Sequence, residues 1–135
     1  MKVMIYLDTN IFVYSAINKS EKGKECIALL TKLIKNDETA CTSVLTWDEI
    51  VYTIWKKEGK ELALEEGRKF FNLPNIILIE ATNKIMLKAQ ELIEKYNLKP
   101  RDAIHAATAI LNNCKEIASD DPDFDKVKEL KRRKI

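Results

Sequence analysis

Glycine and proline are scarce, three of each in 135 residues. No Gly- or Pro-rich linker, low-complexity stretch or internal repeat therefore divides the chain. Cysteine is equally sparse. Cys26, Cys41 and Cys114 are scattered, with no CxxC and no Cys/His cluster in a chain that has one histidine, which argues against a structural zinc site. Their odd number and unpaired spacing fit a reducing compartment, and all three read as small buried side chains. No apolar run approaches the length of a membrane span, and the N-terminus lacks the pattern of a secretory signal. The expectation is a cytoplasmic protein with no membrane association. A large excess of charge of one sign is lacking too. With a net charge of +2, any argument for nucleic acid has to be local.

The length predicts one domain over 1–135, large enough for a hydrophobic core without staples. A hydrophobic fraction of 46% and a charged fraction of 33% are those of a soluble globular protein. Strand-like and helix-like segments alternate, which predicts an α/β fold with a parallel sheet between two layers of helices. The first strand is expected over 2–8 and a short helix over 10–16. Ser20 then caps a helix carrying the stripe Cys26, Ile27, Leu30, Leu33, Ile34 and ending at Asn36–Asp37. A short strand is expected near 39–42. The next helix runs from Thr42 or Ser43 to Lys57, with Val44, Trp47, Ile50, Val51 and Ile54 inward, and Gly59 stops it. A helix over 61–72, a strand over 75–79 and a helix opened by Thr82 or Asn83 follow. Pro100 starts the last long helix, whose Ala103, Ala106, Ala107 and Ala109 permit close packing on the sheet. The last clear strand is expected at 115–119, and the segment 130–135 is too short and charged to assign.

The acidic residues fall at telling places. Asp8 ends the first apolar run, and the C-terminal tips of parallel strands are where such sheets carry their chemistry. Taken alone, it is as readily a turn residue or helix cap. Glu49 lies beside the buried face of its helix, where a carboxylate is costly without a positive partner. Asp102, in the first turn of the last helix, complements the helix dipole. His105 follows three residues later on the same side, and a lone histidine of this kind reads first as a packing or surface residue. Ser119-Asp120-Asp121-Pro122-Asp123-Phe124-Asp125 places four carboxylates at another strand tip. Their mutual repulsion would be relieved by a hard cation such as magnesium or manganese. In a doubly wound sheet these tips share one edge, so Asp8, Glu49, Asp102 and Asp121 are expected to converge.

Ile5-Tyr6-Leu7-Asp8-Thr9-Asn10, Glu49 within Leu45–Val51, Pro100-Arg101-Asp102-Ala103-Ile104-His105, and Ala118-Ser119-Asp120-Asp121-Pro122 resemble, in order and spacing, the acidic motifs of PIN-domain proteins. With the total length, and over nearly the whole chain, they resemble the VapC-like toxin nucleases. The resemblance implies a three-layer α/β/α sandwich around a parallel sheet of about five strands. It also implies divalent-metal-dependent cleavage of RNA with one or two Mg2+ or Mn2+ ions, a homodimer, and a small antitoxin partner. Carried over by motif, Asp8, Glu49, Asp102 and Asp121 are the catalytic acids. Asp8, Asp102 and Asp121 are the metal ligands, with Glu49, Asp120 or Asp123 as further candidates. Thr9, Asn10, Ser119 and Arg101 take orienting or substrate-binding parts. Which of Asp120, Asp121 and Asp123 faces the site is left open.

Substrate binding needs local positive charge, for which Arg101 and the basic tail Lys126–Lys134 are candidates. The tail reads equally as a solvated or frayed terminus. Tyr14, Trp47, Tyr52 and Trp55 could stack on bases, although their helical spacing fits packing or a dimer face better. Two other functions compete with a nuclease. A haloacid-dehalogenase-type phosphohydrolase would want an acid two residues after Asp8, where Asn10 stands, and a longer chain. A non-catalytic binding module would have no need for four mutually repelling acids.

Overall fold

The computed structural model describes residues 4–35 and 38–135. Five strands, β1 (Ile5–Leu7), β2 (Ala40–Ser43), β3 (Ile76–Ile79), β4 (Glu116–Ala118) and β5 (Lys131–Arg133), form one sheet in the order β3-β2-β1-β4-β5. Every pairing is parallel. Ile5 lies opposite Ala40 on one side and Glu116 on the other, so β1 is central. The helices are α1 (Thr9–Ile17), α2 (Glu21–Lys35), α3 (Leu45–Glu58), α4 (Lys60–Phe71), α5 (Asn83–Tyr96) and α6 (Pro100–Leu111). No helix of the described residues is long and apolar enough to cross a membrane.

The layers follow from strand alternation. Tyr6 points to one face, where it meets Ile117 and the alanines of α6 with Ile85, Ala89 and Leu92 of α5. Ile5 and Leu7 point to the other, into a core with Ile11 and Val13 of α1, Cys26 and Leu33 of α2, Ile50 and Ile54 of α3, and Ala63 and Phe70 of α4. All three cysteines are free and buried, with the Cys41 and Cys114 thiols 3.3 Å apart. Because β1, β2 and β4 run the same way, Asp8, Ser43 and Ser119 emerge at one sheet edge. The Asp8 N–H donates to the Ala118 carbonyl (3.1 Å), and the Ser119 N–H donates to the Arg133 carbonyl (3.2 Å).

Close approach of backbones fixes how α1 meets α2. A Cβ on Gly23 would lie 1.8 Å from the Asn18 carbonyl oxygen and 3.0 Å from that of Tyr14. Gly23→Ala must push α2 away from the end of α1. We expect it to destabilise the protein by about 1–3 kcal/mol, the usual cost of overpacking. Urea unfolding checks this, and an alanine variant as stable as the parent would refute it.

Several sequence expectations are adjusted. The first strand begins at Ile5 among the described residues, and its expected start at Lys2 lies outside them, as does the helix end at Asn36–Asp37. Residues 130–135 contain an edge strand. The arginines of the basic tail are neither frayed nor free. Arg132 holds Asp125 through both carboxylate oxygens (3.0 and 3.1 Å) and donates to the Ser119 carbonyl, while Arg133 pairs with Glu116 at 2.9 Å. Trp47 is not inward. It is a third exposed and stacks on Phe71 at the foot of α4, because the small Gly67 leaves room for its indole edge.

Candidate active site

Asp8 leaves β1 in extended conformation and caps α1, its Oδ1 accepting the Thr9 N–H at 2.8 Å. The capping reading of this residue is therefore correct, and it coexists with a second set of contacts. Oδ2 accepts the Ser119 hydroxyl at 2.6 Å and lies 3.4 Å from the Asn10 amide nitrogen. Ser119, buried at the tip of β4, in turn accepts the Asp121 N–H at 3.0 Å. One hydroxyl thus ties the two acidic strand tips together. Burial pushes the Asp8 carboxyl above its ordinary value, against the lowering pull of His105, Ser119 and the Thr9 amide.

Glu49 reaches in from the second turn of α3. Its Oε1 accepts the Thr9 hydroxyl (2.9 Å) and the His105 Nε2–H (2.5 Å). Burial alone would raise its pKa, but the His105 hydrogen bond and charge, with Thr9 and Arg101, hold it below the ordinary glutamate value. His105 itself is fully buried. Its Nδ1 meets the Tyr6 hydroxyl at 2.5 Å, and that hydroxyl also accepts the Ser43 N–H at 3.1 Å. Nε2 stands 3.8 Å from Asp8 Oδ1. Desolvation disfavours the imidazolium, yet the Glu49 hydrogen bond and the charges of Asp8, Glu49 and Asp102 raise the pKa above the usual histidine value. His105 is the member of this cluster that sequence reasoning passed over. The signal was its i+3 spacing from Asp102, combined with an apolar helix face that offers an imidazole no water.

Asp102 projects from the first turn of α6. One carboxylate oxygen from each of Asp102, Asp121 and Asp123 falls within 4.8 Å of the others. Burial, followed by the charges of Asp121 and Asp8, pushes Asp102 up to about 6. Asp121 also caps the 3-10 turn Pro122–Lys126, accepting the Asp123 N–H at 2.9 Å. That turn swings Asp123 to the same side. Asp120 faces elsewhere. Lys22 of α2 meets it at 2.5 Å and the Tyr14 hydroxyl at 3.2 Å, and the lysine holds its pKa down. Arg101 sits outside the cluster, 3.7 Å from Asp48 on the exposed rim.

Asp8, Thr9, Asn10, Glu49 and Asp102 line one open cavity of about 280 Å³ between α1 and α3. Among the described residues, Asn10 Oδ1 is a buried acceptor that nothing donates to. An orphaned acceptor beside a carboxylate-only donor set suits a hydrated hard cation, whose waters are donors. The residues fit such an ion: Asp102, Asp121 and Asp123 would hold it, with Asp8 and Asn10 in the same site.

Residues 5–130 match the model of the PIN domain. The chain belongs to the PIN domain family. No curated protein sequence matches it. Among solved structures, this PIN domain is similar to a chain of the VapBC2 complex of Rickettsia felis, bound to a DNA fragment from its promoter. Identity there is 26% and the TM-score 0.75, over 97% of this chain and 98% of that one. It is also similar in fold to a chain of a toxin–antitoxin complex from Klebsiella pneumoniae, with 23% identity and TM-score 0.69 over 94% and 95% of the two chains. The third is VapC20 of Mycobacterium tuberculosis, a sarcin-ricin-loop-cleaving toxin, with 13% identity and TM-score 0.76 over 92% and 95%. The expected α/β sandwich with five parallel strands is the PIN architecture seen here.

Proposed function

We propose that this PIN domain is a divalent-metal-dependent endoribonuclease, the toxin half of a toxin–antitoxin pair acting in the cytoplasm. The observation that carries this reading is the gathering of Asp8, Glu49, Asp102, Asp121 and Asp123 at one sheet edge, beside the unpaired Asn10 acceptor. An anionic pocket repels a phosphodiester unless a cation inverts its field. Mg2+ or Mn2+, held by Asp102, Asp121 and Asp123 with Asp8 close by, would supply Lewis acidity toward the phosphoryl oxygens and an acidified water.

The chain's own residues do the positioning. Glu49 spends Oε1 on Thr9 and His105. Its Oε2 takes neither of those bonds and accepts one from the attacking water, aligning it for in-line displacement. The depressed pKa of Glu49 keeps it an acceptor at neutral pH. Thr9 and His105 fix its rotamer, while Ser119 and the Thr9 amide fix that of Asp8. Asn10 Oδ1, left without a donor, would accept from a water of the hydrated ion.

Solved relatives in toxin–antitoxin complexes support an antitoxin partner. The exposed aromatics Tyr52 and Trp55 on α3 support a homodimer, since apolar area of this kind marks contact surfaces. Incubation with structured and single-stranded RNAs in magnesium, manganese or chelator tests the activity. Cleavage in metal and none in chelator is expected, and cleavage unaffected by chelator would overturn the reading. Magnesium should also raise the melting temperature, because binding only to the folded state stabilises it. The shift should grow from pH 5 to pH 7 as protons leave Asp102, whose pKa is about 6. A melting temperature indifferent to magnesium at both values would favour a non-catalytic module instead.

A further inference from the structure

Resting on the nuclease reading, we propose that Lys57 is a substrate-positioning residue. It binds a phosphate of the RNA strand flanking the one that is cut. The cavity that holds Asp8, Glu49 and Asp102 continues along α3 past Thr53 to Lys57, and among the described residues Lys57 is the one cation on its wall. Glu49, Thr53 and Lys57 are spaced four residues apart, so they form a single stripe on one face of the helix.

Eight residues are about 12 Å of helix axis. Lysine stems on a helix lean back toward its N-terminus, which brings the ammonium over Thr53 and still leaves a turn between it and Glu49. It is therefore too far out for the phosphate held by the acids and well placed for a neighbouring one. Among the described residues no carboxylate forms an ion pair with Lys57, whereas Lys22, Lys69, Lys88 and Lys126 are each paired. Of the other basic residues considered for this part, Arg132 and Arg133 along β5 and Arg101 by Asp48 are engaged, and Lys128, Lys131 and Lys134 do not line this cavity. An unpaired cation opening onto an acidic pocket also steers a polyanion so that its backbone enters along α3.

The alternative role for Lys57 is to complement the dipole at the C-terminus of α3. Lys56 shares that last turn but does not line the cavity, so it is the internal control. A short fluorescent oligoribonucleotide of mixed sequence is the probe, with steady-state cleavage measured in magnesium between about 50 and 200 mM salt. Lys57→Gln should raise KM about fivefold at the lower salt and leave kcat within about twofold. It should also flatten the log–log salt dependence by about 0.7, the value of one single-strand phosphate contact. Lys57→Arg should restore most of the loss, and Lys56→Gln should follow the parent line. If Lys57→Gln and Lys56→Gln coincide, or if the loss lies in kcat alone, Lys57 has no such contact. A parent protein that cleaves while Lys57→Gln is indistinguishable from it removes Lys57 alone. A parent that cuts no RNA with any metal removes the nuclease reading and this inference with it.

Discussion

Asp102→Asn is expected to melt several degrees above the parent protein in the absence of metal and to cut RNA at least about 10³-fold more slowly in its presence. The two effects have one cause. Asp102 is half-buried against Asp121, Asp123 and Asp8, and its pKa of about 6 shows that its charge is unfavourable in the folded protein. A neutral isostere removes both the cost of burying that charge and its repulsion by the neighbouring acids. The lost interaction with the α6 dipole opposes the gain by only about 0.3–1 kcal/mol, less than the desolvation and repulsion that together raise the pKa. The repulsion is what a divalent cation relieves, so removing it also removes a ligand. Sign supports the same expectation: a carboxyl whose pKa is raised on folding favours the folded state while protonated, and that contribution is lost as pH rises through about 6. The metal-free parent should therefore weaken across that pH, and Asp102→Asn should weaken less. Thermal melts in chelator, beside cleavage assays in magnesium, measure both halves. A variant less stable than the parent would show that Asp102 is structural, and one that still cuts would remove it from the chemistry. Asp8→Asn should share the loss of activity with its fold intact, because the amide can still cap α1.

The same balance decides which parts of this protein were legible in its sequence. Strand tips are easy to read, because a buried run such as Ile5-Tyr6-Leu7 followed at once by Asp8 fits little besides a central parallel strand ending in a polar turn. From there topology places Asp102 and Asp121 at the same edge without further information. The 3-10 turn was not legible. Four acids in Asp120–Asp125 look equivalent as letters, and only the Pro122 turn and the Asp121 cap decide that Asp123 turns in. Asp120 turns out because Lys22, almost a hundred residues away, is there to meet it. Strand β5 was hidden for a related reason. Lys131, Arg132 and Arg133 have no strand-like hydrophobicity, and an edge strand needs only one paired side. Its arginines are satisfied by Asp125 and Glu116, contacts no local pattern announces. Trp47 misled because amphipathic spacing cannot distinguish the core side of a helix from the side that packs on a neighbouring helix.

His105→Ala is expected to destabilise the metal-free protein by about 3–5 kcal/mol, the usual cost of taking one partner from a buried ion pair. The deletion strands Glu49 and Asp8, leaves the Tyr6 hydroxyl without its partner at 2.5 Å and opens a cavity under α6. The pair carries its own pH signature. A histidine pKa raised on folding stabilises the protein fully below its unfolded value near 6.5 and loses that contribution as pH climbs through the folded value. A glutamate pKa lowered on folding stabilises above about 4.5 and fails as pH drops through the folded value. The parent should thus gain most from the pair between about pH 4.5 and 6.5. In His105→Ala the part of the alkaline decline that belongs to the imidazolium should vanish, leaving the shallower one due to Asp8 and Asp102. His105→Gln can donate to Glu49 and accept from Tyr6, so it should recover the hydrogen bonds but not the charge, and fall between the two. Urea unfolding in chelator across this pH range separates the three proteins. Divalent metal should narrow the gap between them, since it supplies positive charge to the same carboxylates. If His105→Ala matches the parent in stability and pH profile, the imidazole is a passive filler, and Glu49 must owe its ionisation to Thr9 and Arg101 alone.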